Sequence, residues 1–179
     1  MRKEFRAAIG ILSFLLLGAL VLPQAGAKAA DKSKDKFKPF KLKTLDGTHK
    51  TLEDFENKAV LVSFFYPKCP FCAAALPQMQ KLYDKYKDKG LSEVWINVLP
   101  EEEKLIPKWQ AKNQFTVPVL VGASEDSLER NYRLTTTPTE YLLGANGEVL
   151  LYHSGYKAGD EKILESKIEE VLNIGATAQ

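Results

Sequence analysis

Cysteine is nearly absent from this chain: there are two in 179 residues, Cys69 and Cys72, separated by only two positions. A small secreted scaffold held by disulfides carries several pairs spread along its length, so that class is excluded. A bridge between these two closes a very short loop and restricts the unfolded chain little. Their use is therefore chemical rather than structural. Histidine is equally scarce, at His49 and His153, and there is no second C-x-x-C. A structural zinc site takes four ligands and lacks them here, so no metal is expected. Charge of one sign is also missing. The formal net charge is +2, and the first 29 residues hold Arg2, Lys3, Arg6 and Lys28 against Glu4, so without them it becomes −1. A nearly neutral chain has no electrostatic footprint for nucleic acid and no basic patch for an anionic membrane. Internal repeats are absent. With 45% hydrophobic residues, the chain is long enough for one domain with a real core.

The first thirty residues read as an address. A basic start (Arg2, Lys3, Arg6) precedes an apolar run over 9–22, then Pro23 and the small residues of 25–30. This pattern predicts a secretory signal peptide over 1–29, cleaved after Ala27 or Ala29. The alternative is an uncleaved anchor, but 14 apolar residues fall short of the ~20 that a spanning helix needs. A solvated Lys/Asp-rich linker over 30–36, a domain over 37–174 and a frayed tail over 175–179 complete the expected organisation.

Within the domain, 40–45 alternates apolar and polar, Asp46-Gly47 supplies a turn and 50–52 continues, which is a hairpin signal. Residues 59–65 (Ala-Val-Leu-Val-Ser-Phe-Phe) form a continuous apolar run, the mark of a strand buried on both faces. A helix is expected from Pro70 to Lys87, with Leu76, Met79, Leu82, Tyr83 and Tyr86 on one side, ended by Gly90. There follow a strand over 91–98, a helix over 101–115 interrupted near its start by Pro107, and a short strand over 117–121. Next come a short helix over 124–132 capped by Ser124, and two strands, 139–143 and 148–153, joined by Asn146-Gly147. An amphipathic helix over 160–172 closes the domain. The order predicts an α/β fold with a mixed central sheet and helices on both faces.

Cys69 follows the buried strand, and Pro70 stands where proline is favoured, at the first helical position. Cys69 is then the helix N-cap, where free N–H groups and the helix dipole favour thiolate, the attacking species. Cys72 lies one turn on, able to attack a mixed disulfide and release the partner. This division predicts Cys69 as the exposed nucleophile and Cys72 as the more buried resolving thiol. Lys68 adds a positive charge that stabilises the thiolate, or is simply a solvated loop lysine. Tyr66 and Phe71 either line a contact surface or only pack. Thr136-Thr137-Pro138 stands just before a strand, where proline is tolerated.

The strand 60–65, Cys69-Pro70-Phe71-Cys72, Pro77, and Thr137-Pro138 ahead of the Asn146-Gly147 hairpin together resemble the thioredoxin superfamily. More narrowly, with Leu45-Asp46-Gly47, the 52–57 stretch and the extra segment 101–115, the chain resembles exported TlpA/ResA-like thiol–disulfide oxidoreductases, a domain of AhpC/TSA–Redoxin type. The likeness covers about residues 37–173. It implies a thioredoxin-like fold with an N-terminal hairpin and an insertion between central strands. It further implies a cis Pro138 against the two sulfurs, and Thr137 backbone groups that pair with an extended partner segment. The implied activity is exchange of a Cys69–Cys72 disulfide with protein thiols and disulfides, as a reductant more than an oxidant, in cytochrome c maturation among other settings. The implied electron donor is a membrane protein, and no cofactor beyond the redox-active disulfide is needed. A periplasmic location follows from the leader.

Three positions depart from the family. The buried acid that thioredoxins carry on the central strand is replaced by Ser63, so its proton role is empty or filled elsewhere. Trp before the first cysteine is replaced by Lys68. A glutamate near the site in some relatives corresponds to Glu101 or Glu102, with the register blurred by Leu99-Pro100. Two other functions compete. A thiol peroxidase needs a Thr three residues before its nucleophile, where Tyr66 stands. A copper- or haem-handling protein of this fold needs C-x-x-x-C spacing and a His ahead of the 139–143 strand, whereas His153 falls after the hairpin.

Overall fold

The computed structural model describes residues 36–123 and 125–174. The expected signal peptide, nearly all of the linker, the Ser124 cap and the 175–179 tail lie outside the described residues. Lys36, assigned to the linker from sequence, already bridges Glu148, and the Phe37 N–H donates to the Gly147 carbonyl at 2.9 Å. Phe37 is drawn in because its ring stacks on Tyr132 at 4.9 Å and abuts Tyr141 at 5.2 Å.

Strand β1 (Lys41–Thr44) turns through Asp46-Gly47 into β2 (His49–Thr51), and the Asp46 carboxylate accepts from the Thr48 N–H and the Thr44 hydroxyl. β3 (Ala59–Phe65) is buried along its whole length. It is followed by α1 (Pro70–Tyr86), β4 (Leu91–Asn97), α2 (Ile106–Asn113), β5 (Val119–Val121) and α3 (Glu125–Tyr132). The chain closes with β6 (Thr139–Gly144), β7 (Val149–Ser154) and α4 (Glu161–Val171). The seven strands form one mixed sheet in the order β2-β1-β5-β4-β3-β6-β7, with β4 parallel to β3 and β5, and β6 antiparallel to β3.

Side chains alternate across β3. Leu61 and Phe65 join the core under α1, α2 and α4, with Leu76, Met79, Ile106, Leu164 and Ile168. Val62 and Phe64 face the opposite core, with Phe37, Leu128 and Tyr132, under α3. Helices therefore cover both faces, as the order of elements requires. Each such buried side chain contributes about 1.5–3 kcal/mol by leaving water. The alternation also places Ser63 on the α1 face, between Leu61 and Phe65.

One expectation needs correcting. The helix expected over 101–115 is two pieces, a 3₁₀ run Pro100–Leu105 and then α2. Pro107 has no N–H to return to the Glu103 carbonyl, so a continuous α-helix cannot pass it, while its ring suits the first turn of α2. Gln114, at φ 57°, ends that helix.

Candidate active site

The site is assembled where β3 stops. Tyr66 to Lys68 form a tight turn in which the Cys69 N–H donates to the Tyr66 carbonyl at 3.1 Å. Cys69 caps α1 with extended backbone (φ −67°, ψ 118°), and Pro70 opens the helix. Cys69 and Cys72 are joined by a disulfide, with Cα atoms 5.1 Å apart. The Cys72 N–H points at Cys69 Sγ at 3.0 Å, so a free donor of the first helical turn faces the sulfur as a cap requires. That donor favours negative charge on Cys69 once the bond opens.

The expected contrast in exposure is not found: Cys69 is 2% exposed and Cys72 1%. Cys69 is covered from the far side of the site. The Thr137 carbonyl oxygen lies 3.6 Å and the Thr137 hydroxyl 3.5 Å from its sulfur. The Thr137–Pro138 bond is cis, and the Pro138 carbonyl is taken by the Gly155 N–H at 2.8 Å. What the site shows to solvent is Phe71, 62% exposed beside the disulfide. Next to it a groove of about 250 Å³ is lined by Tyr66, Val98, Leu99, Leu128, Leu134, Thr136 and Thr137.

Lys68 does not offer an unopposed charge. Its ammonium lies 3.7 Å from Glu102 Oε1, and its backbone N–H donates to Glu102 Oε2 at 3.0 Å. Of the two glutamates left open by sequence, Glu102 is thus the one that reaches the site. Its carboxylate is buried and ties the 3₁₀ run after β4 to the turn before Cys69. Glu101 is exposed, and Glu103 instead accepts from the Gly122 N–H.

Two further acids were missed from sequence. Glu140 on β6 is fully buried and pairs in register with Ser63 on β3. Both its carboxyl oxygens, and the Ser63 hydroxyl, lack a hydrogen-bond partner among the described residues. Burial, reinforced by the negative charge of Asp160, pushes the Glu140 carboxyl up to about 8. Glu93 on β4 is also buried and is raised well above the ordinary carboxylate range by burial, against the opposing hydrogen bond from Trp95 Nε1 at 2.5 Å. The signal for Glu140 was an acid at the head of the apolar run Tyr141-Leu142-Leu143, two residues beyond Pro138. His153, on β7, faces Asp160 with Nε2 3.1 Å from Oδ2. Among the described residues no three potential metal ligands gather, and no helix is long and apolar enough to cross a membrane.

The AhpC/TSA family model matches residues 33–151. The chain is 24% identical over 175 residues to the thiol-disulfide oxidoreductase ResA of Halalkalibacterium halodurans, covering 97% of this chain and 93% of that one. It is 28% identical over 137 residues to the sporulation thiol-disulfide oxidoreductase A of Bacillus subtilis, covering 75% and 82%. A solved structure described as a thiol:disulfide interchange protein DsbE from Chlorobium tepidum superposes with a TM-score of 0.70 at 28% identity, over 78% of this chain and 96% of that one.

Proposed function

The chain belongs to the AhpC/TSA family and is a thiol–disulfide oxidoreductase of the ResA type with a thioredoxin-like fold, and we propose that it works as an exported reductant of protein disulfides. The single observation that carries this reading is the Cys69–Cys72 pair at the head of α1, with the Cys72 N–H aimed at the Cys69 sulfur.

In this reading Cys69 is the nucleophile. Its thiolate, held by the Cys72 N–H, attacks a substrate disulfide and forms a mixed disulfide. Cys72 then attacks Cys69 Sγ, the substrate leaves reduced with the two electrons lost by the pair, and the pair is left oxidised as the Cys69–Cys72 disulfide. No other cofactor takes part. The substrate chain lies extended beside Thr137, pairing with its backbone as with a strand edge, while Pro138 keeps that edge open to it. Phe71 and the groove over Leu99 and Leu134 contact the side chains around the substrate cysteine. Lys68, with its charge met by Glu102, shapes the turn before the nucleophile.

The substrates are protein thiols and disulfides, with apocytochromes c among those proposed, and a membrane protein supplies the electrons. Export through the leader over 1–29 places the protein in the periplasm, where a dedicated reductant opposes general oxidation. The decisive measurement is the reduction potential of the Cys69–Cys72 pair against glutathione. A potential below that of the glutathione pool is expected, and one well above it would overturn the reductant assignment.

A further inference from the structure

Disulfide exchange moves protons as well as electrons. Each time the Cys69–Cys72 bond opens, Cys72 leaves as a thiolate inside the protein, 1% exposed, and a charge so buried has to be neutralised. Of the two buried acids on the α1 face, Glu140 is suited to this, because Glu93 keeps one oxygen on Trp95 Nε1 whereas both oxygens of Glu140 lack a partner among the described residues. Glu140 sits on the face of the sheet that packs against α1, since its neighbour Leu142 belongs to the same core as Cys69 and Cys72. It pairs in register with Ser63, six residues before Cys69 on the strand that leads into the site. It also lies three residues beyond Thr137, about 10 Å of strand from the residue touching the Cys69 sulfur. Its oxygens and the Ser63 hydroxyl are buried without partners among the described residues. A carboxyl left so is costly unless it has a task.

We propose that Glu140 holds the proton that Cys72 gains and loses, reaching from β6 into the space that Ser63 leaves on β3. The assignment rests on the oxidoreductase reading above. When a dithiol donor reduces the enzyme, its thiolate attacks Cys69 Sγ, the Cys69–Cys72 bond breaks and a donor–Cys69 disulfide forms. Cys72 departs as thiolate and takes the proton of the Glu140 carboxyl. The donor's second thiol, losing its proton to water, then displaces Cys69 as thiolate, and the donor leaves as a disulfide. In the substrate half-reaction Cys69 thiolate attacks the substrate disulfide. Glu140, now a carboxylate, recovers the proton from Cys72, which attacks Cys69 Sγ and frees the reduced substrate.

The groups facing Glu140 come from every neighbouring element. On β7 its register partner is His153, which is partly exposed and lies against Asp160. Tyr156, near enough to feel the Glu140 charge, donates to Glu161 at 2.8 Å. From β4, Glu93 feels it too and is engaged by Trp95. His153 and Asp160 give the carboxyl a polar route to solvent through which it exchanges protons between turnovers. Glu93 is enclosed and has its Trp95 bond to keep.

The test uses the reduced full chain and a chromogenic aromatic disulfide in stopped flow. The first thiol released reports attack by Cys69, and the second reports resolution by Cys72. In E140Q the first phase is expected to keep its rate, while the second falls about 100-fold near neutral pH and loses its inflection in the pH profile. E93Q is expected to keep both phases, and the double variant S63D/E140Q to regain the inflection from the facing strand. Identical second phases in E140Q and the parent protein at every pH would overturn the assignment. Should E140Q not fold, a parent profile without an inflection between about pH 7 and 9 overturns it equally. Absence of the first phase in the parent protein would instead sink the exchange reading itself.

Discussion

Replacing Glu140 by glutamine is expected to raise the stability of the oxidised protein, and to do so only at neutral and higher pH. In the unfolded chain this carboxyl ionises near 4.5, whereas in the fold burial holds the proton until about pH 8. Below 4.5 the group is neutral in both states and contributes no penalty. As pH rises, the unfolded chain gives up the proton while the folded chain keeps it, so stability is lost with rising pH and the loss is complete above about 8. Each unit of separation is worth 1.36 kcal/mol. The interval therefore corresponds to roughly 5 kcal/mol, a large share of the ~5–15 kcal/mol that holds a typical domain together. Glu93 is displaced in the same direction and steepens the slope. The assay is urea unfolding followed by tryptophan fluorescence at several pH values between 5 and 9. Trp95, fully buried, reports the transition. E140Q and the parent protein should lie within about 1 kcal/mol at pH 5, both carrying a neutral side chain there, and diverge by several kcal/mol at pH 8 in favour of E140Q. Parallel stability curves over this range would refute the reasoning, since they would mean that Glu140 ionises alike in the folded and unfolded chain.

The remaining expectations are shorter. Cys69→Ser abolishes disulfide exchange, whereas Cys72→Ser still attacks and accumulates a mixed disulfide on Cys69, visible by intact mass; trapping on Cys72 instead would reverse the two roles. Glu102→Ala removes the acceptor of the part-buried Lys68 N–H, which is expected to cost about 1 kcal/mol in thermal or urea unfolding. Lys68→Ala leaves the pH dependence of Cys69 alkylation unchanged, because Glu102 already opposes that charge; a displaced profile would show that the lysine acts on the sulfur after all.

What was legible in sequence is what short-range chemistry decides. The apolar run over 59–65 had to be a buried strand, Pro70 had to open a helix with Cys69 as its cap, and Asn146-Gly147 had to turn a hairpin, where Gly147 adopts φ 70°. Pro107 was visible too, but the 3₁₀ run ahead of it was not. The choice between 3₁₀ and α there turns on a single missing N–H and on how Glu102 and Glu103 are engaged from other parts of the chain.

The chain's order of residues by itself determined the strand–turn–helix that presents two cysteines one turn apart, and with it the chemistry they perform. Only the tertiary structure decided what surrounds those sulfurs. It covered Cys69 with Thr137, brought Glu102 against Lys68, and set Glu140 opposite Ser63. The physical reason is register. Which residue faces which across two paired strands depends on how the whole sheet packs, since a slip of one position would turn Glu140 to the other face and move it away from the site.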